Sequence, residues 1–234
     1  MTTLDTRTTV SLRGAALTAA ITGVLAFAAS FVQGPDGPSL LTATGAQVHA
    51  YAQSQAGAIR LAALAASVSV AVLLIFTAAV TRVLREASPR SLLGDLFAAA
   101  SILLVGALFL NAVAGALPAV LPDLAGGDTP SDEAFSNWNG IAGFTHLVGD
   151  FQMLFIALLT GAFSLAAWPA RIVPRWVVVL GAAVAVAAAL GTAGIALNSG
   201  ALYGVWFAGL FGWALWTPIT GIALAVRART TVLP

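Results

Sequence analysis

The sequence predicts an all-α integral membrane protein, a single domain built as a bundle of six transmembrane helices with both termini cytoplasmic. Three observations carry that prediction. Of 234 residues, 59% are hydrophobic and 8% charged, with a mean hydropathy of +0.96, whereas soluble domains carry about 25% charged residues. Six apolar runs are each long enough to cross roughly 30 Å of hydrocarbon as a helix. The arginines fall on one side of those runs and most of the acids on the other.

The runs cover, approximately, residues 15–32, 61–80, 92–117, 147–168, 176–197 and 204–226. Lipid offers no partner to backbone N–H and C=O groups, so each run must satisfy them internally as a helix. The breaks have turn or interface composition: Gly34-Pro35-Asp36-Gly37-Pro38, residues 82–90, residues 118–144, Arg171 to Pro174, and Asn198-Ser199-Gly200. Arg7 and Arg13 precede the first run, and Arg82, Arg85 and Arg90 separate the second from the third. Arg171 and Arg175 separate the fourth from the fifth, and Arg227 and Arg229 follow the sixth. Six crossings put all of these on one side, which the retention of basic loops makes cytoplasmic. Arg60 is the exception, while Asp36, Asp123, Asp128, Asp132 and Glu133 lie in outer segments. The first run also mimics a secretory signal peptide, with Ala26-Phe27-Ala28 as a cleavage-like site. Its apolar continuation, and the single side occupied by every arginine cluster, favour a resident helix.

Composition excludes several chemistries. The chain has ten Lys+Arg against nine Asp+Glu, every basic residue is Arg, and cysteine is absent. There is thus no lysine for a Schiff base and no thiolate for a metal, cluster or nucleophile. A formal charge of +1 gives no basic groove for nucleic acid. No phosphate-cradling glycine loop with lysine, Gly-x-Ser-x-Gly elbow, His-Glu-x-x-His or Asp-Asp-x-x-Asp motif occurs.

Leu92-Leu93-Gly94-Asp95-Leu96 recurs as Leu147-Val148-Gly149-Asp150-Phe151, with Gly106 and Gly161 following at equal spacing. The two aspartates open helices from opposite sides, so they lie roughly 25 Å apart in depth and cannot form a carboxylate dyad. Asp95 sits among arginines in the first turn of its helix, where a carboxylate meets the positive end of the helix dipole, and reads as structural.

Ionisable groups within spans are costly and mark function. His146 and Asp150 are one turn apart on one helix face. Thr44 and Gln47 form a capping box from which a helix runs into the second span, with His49, Gln53 and Arg60 on one face. Asn111 and Asn198 are placed at similar depth, so the sequence predicts one outer polar layer. Four uses of it stay open: a desolvated Asp150–Arg60 pair with His146 and His49 as ordinary helix-end residues, an acid at Asp150 reloaded through His146, a two-histidine, one-carboxylate metal set of His49, His146 and Asp150, or a haem between the two histidines. On the sixth helix Tyr203, Trp206, Leu210, Trp213 and Thr217 share a face, with Phe207, Phe211 and Trp216 beside it. Trp213 falls near mid-membrane and Pro218 follows closely, a combination that can open a cavity. Tyr203, Trp138, Trp168 and Trp176 read as interface-belt aromatics.

In layout the chain resembles the uncharacterised six-helix membrane proteins of actinobacteria. Val48-His49-Ala50-Tyr51, Thr81-Arg82-Val83-Leu84-Arg85-Glu86-Ala87, the Gly-Asp opening the third helix and Pro174-Arg175-Trp176 carry that resemblance. In size and character it is also similar in kind to small bacterial membrane-integrated terpene cyclases, which combine an acidic donor with an aromatic, water-poor cavity. That similarity implies an enzyme of the cytoplasmic membrane acting on an isoprenoid or other lipid-phase substrate by acid-initiated chemistry, without cofactor or metal. Asp150 and His146 would be catalytic, with Trp206, Trp213, Trp216, Phe151, Asn111, Arg60, His49 and Gln53 binding substrate. The segment 119–145 would act as a lid. The competing expectation is a small transporter, export accessory or immunity-type protein using the same layer.

Overall fold

The computed structural model describes residues 4–29, 31–32, 34–38, 42–126 and 130–230, and the side chains of residues 4–11, 146 and 230 lie outside the described atoms. Six helices and no strand occur among the described residues: α1 Leu4–Ala29, α2 Gly45–Ala87, α3 Leu93–Leu124, α4 Asp132–Ala170, α5 Arg175–Ala196 and α6 Gly200–Thr230. All six are long and apolar enough to cross a membrane, as the composition requires of a multi-pass membrane protein.

Each helix packs on its sequence neighbours, and α6 returns to α1, so the six close into a ring. α4 also reaches α2 and α6 across the ring. The interior is filled by Leu84 of α2, Phe97 of α3, Met153, Ile156 and Phe163 of α4, Val177 of α5 and Trp216 of α6, all fully buried. Leu61, Leu64, Ile102, Leu165, Val179 and Phe211 face outward and are exposed. Apolar groups on both faces mark helices whose surroundings are lipid.

Lipid tails are as apolar as leucine, so such helices associate through close van der Waals packing rather than by escaping water. Glycines supply that closeness. A β-carbon on Gly191 would lie 2.7 Å from Trp206 Cα, and one on Gly209 would lie 2.9 Å from Ala188 Cα, which seats α5 and α6 backbone against backbone. On the other side of α6, a β-carbon on Gly221 would overlap the Ala19 carbonyl of α1, and one on Gly23 would sit 3.0 Å from the Thr217 carbonyl.

The helices depart from the expected spans at the acidic end of the bundle. α2 has 43 residues, α3 has 32 and α4 has 39, or roughly 64, 48 and 58 Å, against a hydrocarbon layer of about 30 Å. The excess forms a small three-helix extension with its own core of Val48, Ala52, Phe135, Trp138 and Ala142, flanked by Leu117 and Leu121. The expected 119–145 lid is therefore mostly helix. Proline ordinarily ends a helix because it lacks an N–H, yet Pro118 and Pro122 lie inside α3. The Ala114 carbonyl, which loses its donor at Pro118, is bonded instead by the Trp138 indole Nε1–H at 2.7 Å. Trp138, expected as a belt aromatic, is buried in the extension core. Ser131 opens α4, its Oγ accepting from the Ala134 N–H, and the expected Thr44–Gln47 capping box opens α2.

Ring closure at α1–α6 depends on the missing side chain of Gly221. Replacing it with alanine should cost about 1–3 kcal/mol through overpacking, read as a lower melting temperature in detergent. Gly106→Ala, where nothing lies within 4 Å of the added carbon, should leave the melting temperature unchanged or raise it.

Candidate functional site

The expected outer polar layer separates into three tiers. In the uppermost, His49 stacks on Phe135 with ring centroids 4.5 Å apart, its Nδ1 lies 3.6 Å from the Asp132 carboxylate, and its Nε2 is 3.0 Å from the Gln53 amide nitrogen. Phe135 precedes His146 by eleven residues on the continuous α4, roughly 16 Å of helix. The imidazole of His49 thus packs about three helical turns before the backbone position of His146 on α4, and about four before Asp150. Among the described residues, no group of three metal-ligating side chains converges. His49 joins α2 to the start of α4, and Gln53 holds its ring from within α2.

The middle tier belongs to Arg60. Its guanidinium donates to the Ala119 carbonyl from Nη2 at 2.8 Å and from Nε at 3.3 Å, and from Nη2 to the Asp123 carboxylate at 2.8 Å. The anticipated Arg60–Asp150 pair does not form. Asp123 lies in the last turn of α3, where a cation is favoured by the negative end of the helix dipole, so the arginine that topology left unexplained ties α2 to the end of α3.

The lowest tier contains Asp150. Its backbone carbonyl accepts a long hydrogen bond, 3.4 Å, from Trp206 Nε1 of α6. Beside it, the Asn111 amide of α3 packs on Gly149, where an added β-carbon would lie 3.1 Å from Asn111 Nδ2. The Asp150 carboxylate has no hydrogen-bond or ion-pair partner among the described residues, and His146, one turn before it, has its side chain outside the described atoms. Phe151 is exposed on the outer surface of the bundle and does not face this tier. Asn198 plays a different part: at φ 50° it ends α5 in the left-handed conformation, with the Asn198 N–H bonded to the Ile195 carbonyl and the Ser199 N–H to the Gly194 carbonyl, the Schellman arrangement.

The aromatic stripe of α6 is likewise divided. Trp206 stacks on Tyr203 and meets Phe207 edge-on. Trp216 is fully buried, edge-on to Phe163 with centroids 5.0 Å apart, and seated over Gly181. It is part of the core. Trp213 lines a cavity of about 200 Å³, with Ala26 and Phe27 of α1, Ser69 and Leu73 of α2, Leu108 of α3 and Thr217 of α6. None of its lining residues is ionisable, and Asp150 is not among them.

No protein-family model, curated protein or solved structure matches this chain.

Between the Asp150 tier and the arginine-rich end, the interior is closed by Met153, Ile156, Phe163, Phe97 and Trp216. Asp95, at that end, is bound by Arg85 through Nε at 2.9 Å and Nη2 at 2.6 Å, as its structural reading anticipated. The interior is nonetheless less apolar than the spans suggest. Gln152, Thr160, Ser164 and Thr220 are buried, and Gln152 Oε1, Thr220 Oγ1 and Trp216 Nε1 find no partner among the described residues. Gln152 escapes a search for charges. The signal available in the sequence was a lone amide two residues past Asp150, which helical geometry turns to a different face.

A double-mutant cycle distinguishes the observed pairing from the anticipated one. Arg60→Ala and Asp123→Ala should show a coupling of about 0.2–1 kcal/mol, modest because both groups are half-exposed. Arg60→Ala combined with Asp150→Ala should be additive.

Proposed function

We propose that this chain binds the apolar portion of a lipid-phase molecule, isoprenoid or similarly branched, in the cavity walled by Trp213. The cavity itself carries the reading: it opens among α1, α2, α3 and α6 at the depth of the spans, and apolar side chains and two hydroxyls line it. Its size limits the occupant. At about 200 Å³ it exceeds the roughly 150 Å³ void that holds benzene and falls short of the roughly 300 Å³ at which drug-sized pockets begin. It takes a ring or a short branched segment, with the remainder of the molecule in the surrounding lipid.

Acid-initiated chemistry on that molecule is a second reading, supported by the Asp150 carboxylate with no described partner and by the spacing of α6. Trp206, which contacts Asp150, and Trp213 are seven residues apart on one face, roughly 10 Å along the helix. A chain seated at Trp213 and extending two turns would reach the acid. In this reading Asp150 protonates the substrate, His146 reloads it, and Trp206 and Trp213 stabilise positive charge through their ring faces. Trp216 has no part in it. The closed interior gives a transport path no comparable support.

Ala66 also lines the cavity. Labelling of the purified protein by a photoreactive isoprenoid should fall at least about fivefold in Ala66→Phe, a loss of roughly 1 kcal/mol in binding; unchanged labelling would remove the binding site from this cavity. Asp150→Asn should retain labelling, and a loss of product formation in that variant alone would establish the second reading.

The arginine-rich end, carrying both termini, is placed in the cytoplasm of a bacterial cell by the bias of basic loops. The chain contains no cysteine, so single cysteines report side directly. An impermeant maleimide applied to intact cells should label Asp36→Cys, and should label Pro89→Cys only after permeabilisation.

A further inference from the structure

The arginine-rich end contains a feature that topology alone does not demand. Retained basic residues need only lie near the membrane surface, and Arg85 is already neutralised by Asp95. Arg171, Arg175 and Arg227 converge on one cleft of about 220 Å³, with Trp168 and Val178 in its walls and no carboxylate among the residues lining it; Arg171 and Arg227 also border a neighbouring concavity whose lining includes Glu86. They arrive from different elements. Arg171 ends α4 with φ 51°, a left-handed backbone unusual for a residue with a β-carbon. Arg175 opens α5 and holds its guanidinium 5.8 Å from the Trp168 ring centroid. Arg227 lies in the last turn of α6. Neither Arg171 nor Arg175 has a carboxylate partner among the described residues.

A second concavity, of about 390 Å³, adjoins this one. Trp176 of α5 and Ile219, Ile222, Ala223 and Val226 of α6 line it, and Arg227 belongs to both. A basic cleft at the membrane surface therefore continues into an apolar groove along the outside of two spans.

We propose that this composite site selectively binds an amphiphile with an anionic phosphate headgroup, the phosphate among Arg171, Arg175 and Arg227 and one hydrocarbon chain along the α5–α6 groove. Guanidinium groups present paired donors matched to phosphate oxygens, and the groove answers the chain. The assignment does not depend on the Trp213 cavity, which is lined by other residues at a different level of the bundle.

The groove-lining Trp176 and the cleft-lining Trp168 give the test its readout. The purified protein in dodecyl maltoside is titrated with phosphatidylglycerol carrying brominated acyl chains, and separately with phosphatidylcholine carrying the same chains, while tryptophan fluorescence is followed. Phosphatidylglycerol should reach half-quenching at a mole fraction at least about fivefold lower, the effect of roughly one arginine's worth of attraction. The Arg171→Gln/Arg175→Gln variant should lose that preference, and Arg90→Gln, an exposed arginine at the same end but outside the cleft, should keep it. Equal quenching by the two lipids in the unsubstituted protein overturns the proposal without recourse to any variant. So does equal loss of preference in Arg90→Gln, which would reduce the effect to general surface charge. Millimolar inorganic phosphate should leave the preference intact; if it abolishes it, the cleft takes free phosphate and the amphiphile assignment fails.

Discussion

The structure rests on the close approach of helix backbones at glycine. With lipid outside and apolar side chains inside, transfer from water no longer separates one arrangement of the six helices from another, and contact distance becomes the discriminating quantity. α6 has glycine-mediated contacts on two sides, to α5 through Gly191 and Gly209 and to α1 through Gly23 and Gly221. Those contacts close the ring, and closure puts Phe97, Phe163 and Trp216 in a common core. The Trp213 cavity is the space that remains among α1, α2, α3 and α6 once that core is filled.

A second constraint, the need to pair every backbone polar group out of water, shapes the acidic end. Pro118 leaves a carbonyl without its helical donor, and the indole of Trp138 from another helix satisfies it. Arg60 ties the end of α3 to α2 through the Ala119 carbonyl and the Asp123 carboxylate. Two residues that stand out in the sequence as candidates for chemistry, Arg60 and His49, thus hold the three-helix extension together. Their chemical character is that of good capping and bridging groups, and a polar residue near a helix end answers a structural need as readily as a catalytic one.

The two concave features differ in what they offer. The mid-bundle cavity is apolar and small, suited to part of a lipid-phase molecule. The cleft at the arginine-rich end is basic and continuous with an apolar groove, suited to an anionic headgroup and its chain. Asp150 lies in neither. Its place beside Trp206, two helical turns from Trp213, is what keeps acid chemistry in view, since a long substrate spans a distance that a small one does not.

The sequence by itself determined the number of spans, the common side of the arginine clusters, the capping box at Thr44, the structural role of Asp95 and the separation of Asp95 from Asp150. These follow from hydropathy, charge position and helical rise, which are local properties of the chain. It did not determine the true lengths of α2, α3 and α4, because residues 118–144 carry prolines and charges that locally read as a break, and the bond that makes Pro118 tolerable comes from Trp138, twenty residues away. Nor did it determine which polar groups meet. His49, Arg60 and Asp150 fall near one depth when spans are counted at standard length, but in the longer helices His49 meets Phe135 and Asp132, Arg60 meets Ala119 and Asp123, and the Asp150 carboxylate meets neither. The separation of these groups, like the burial of Trp216 and the convergence of Arg171, Arg175 and Arg227, depends on which helix faces are in contact, and only the packed ring sets them.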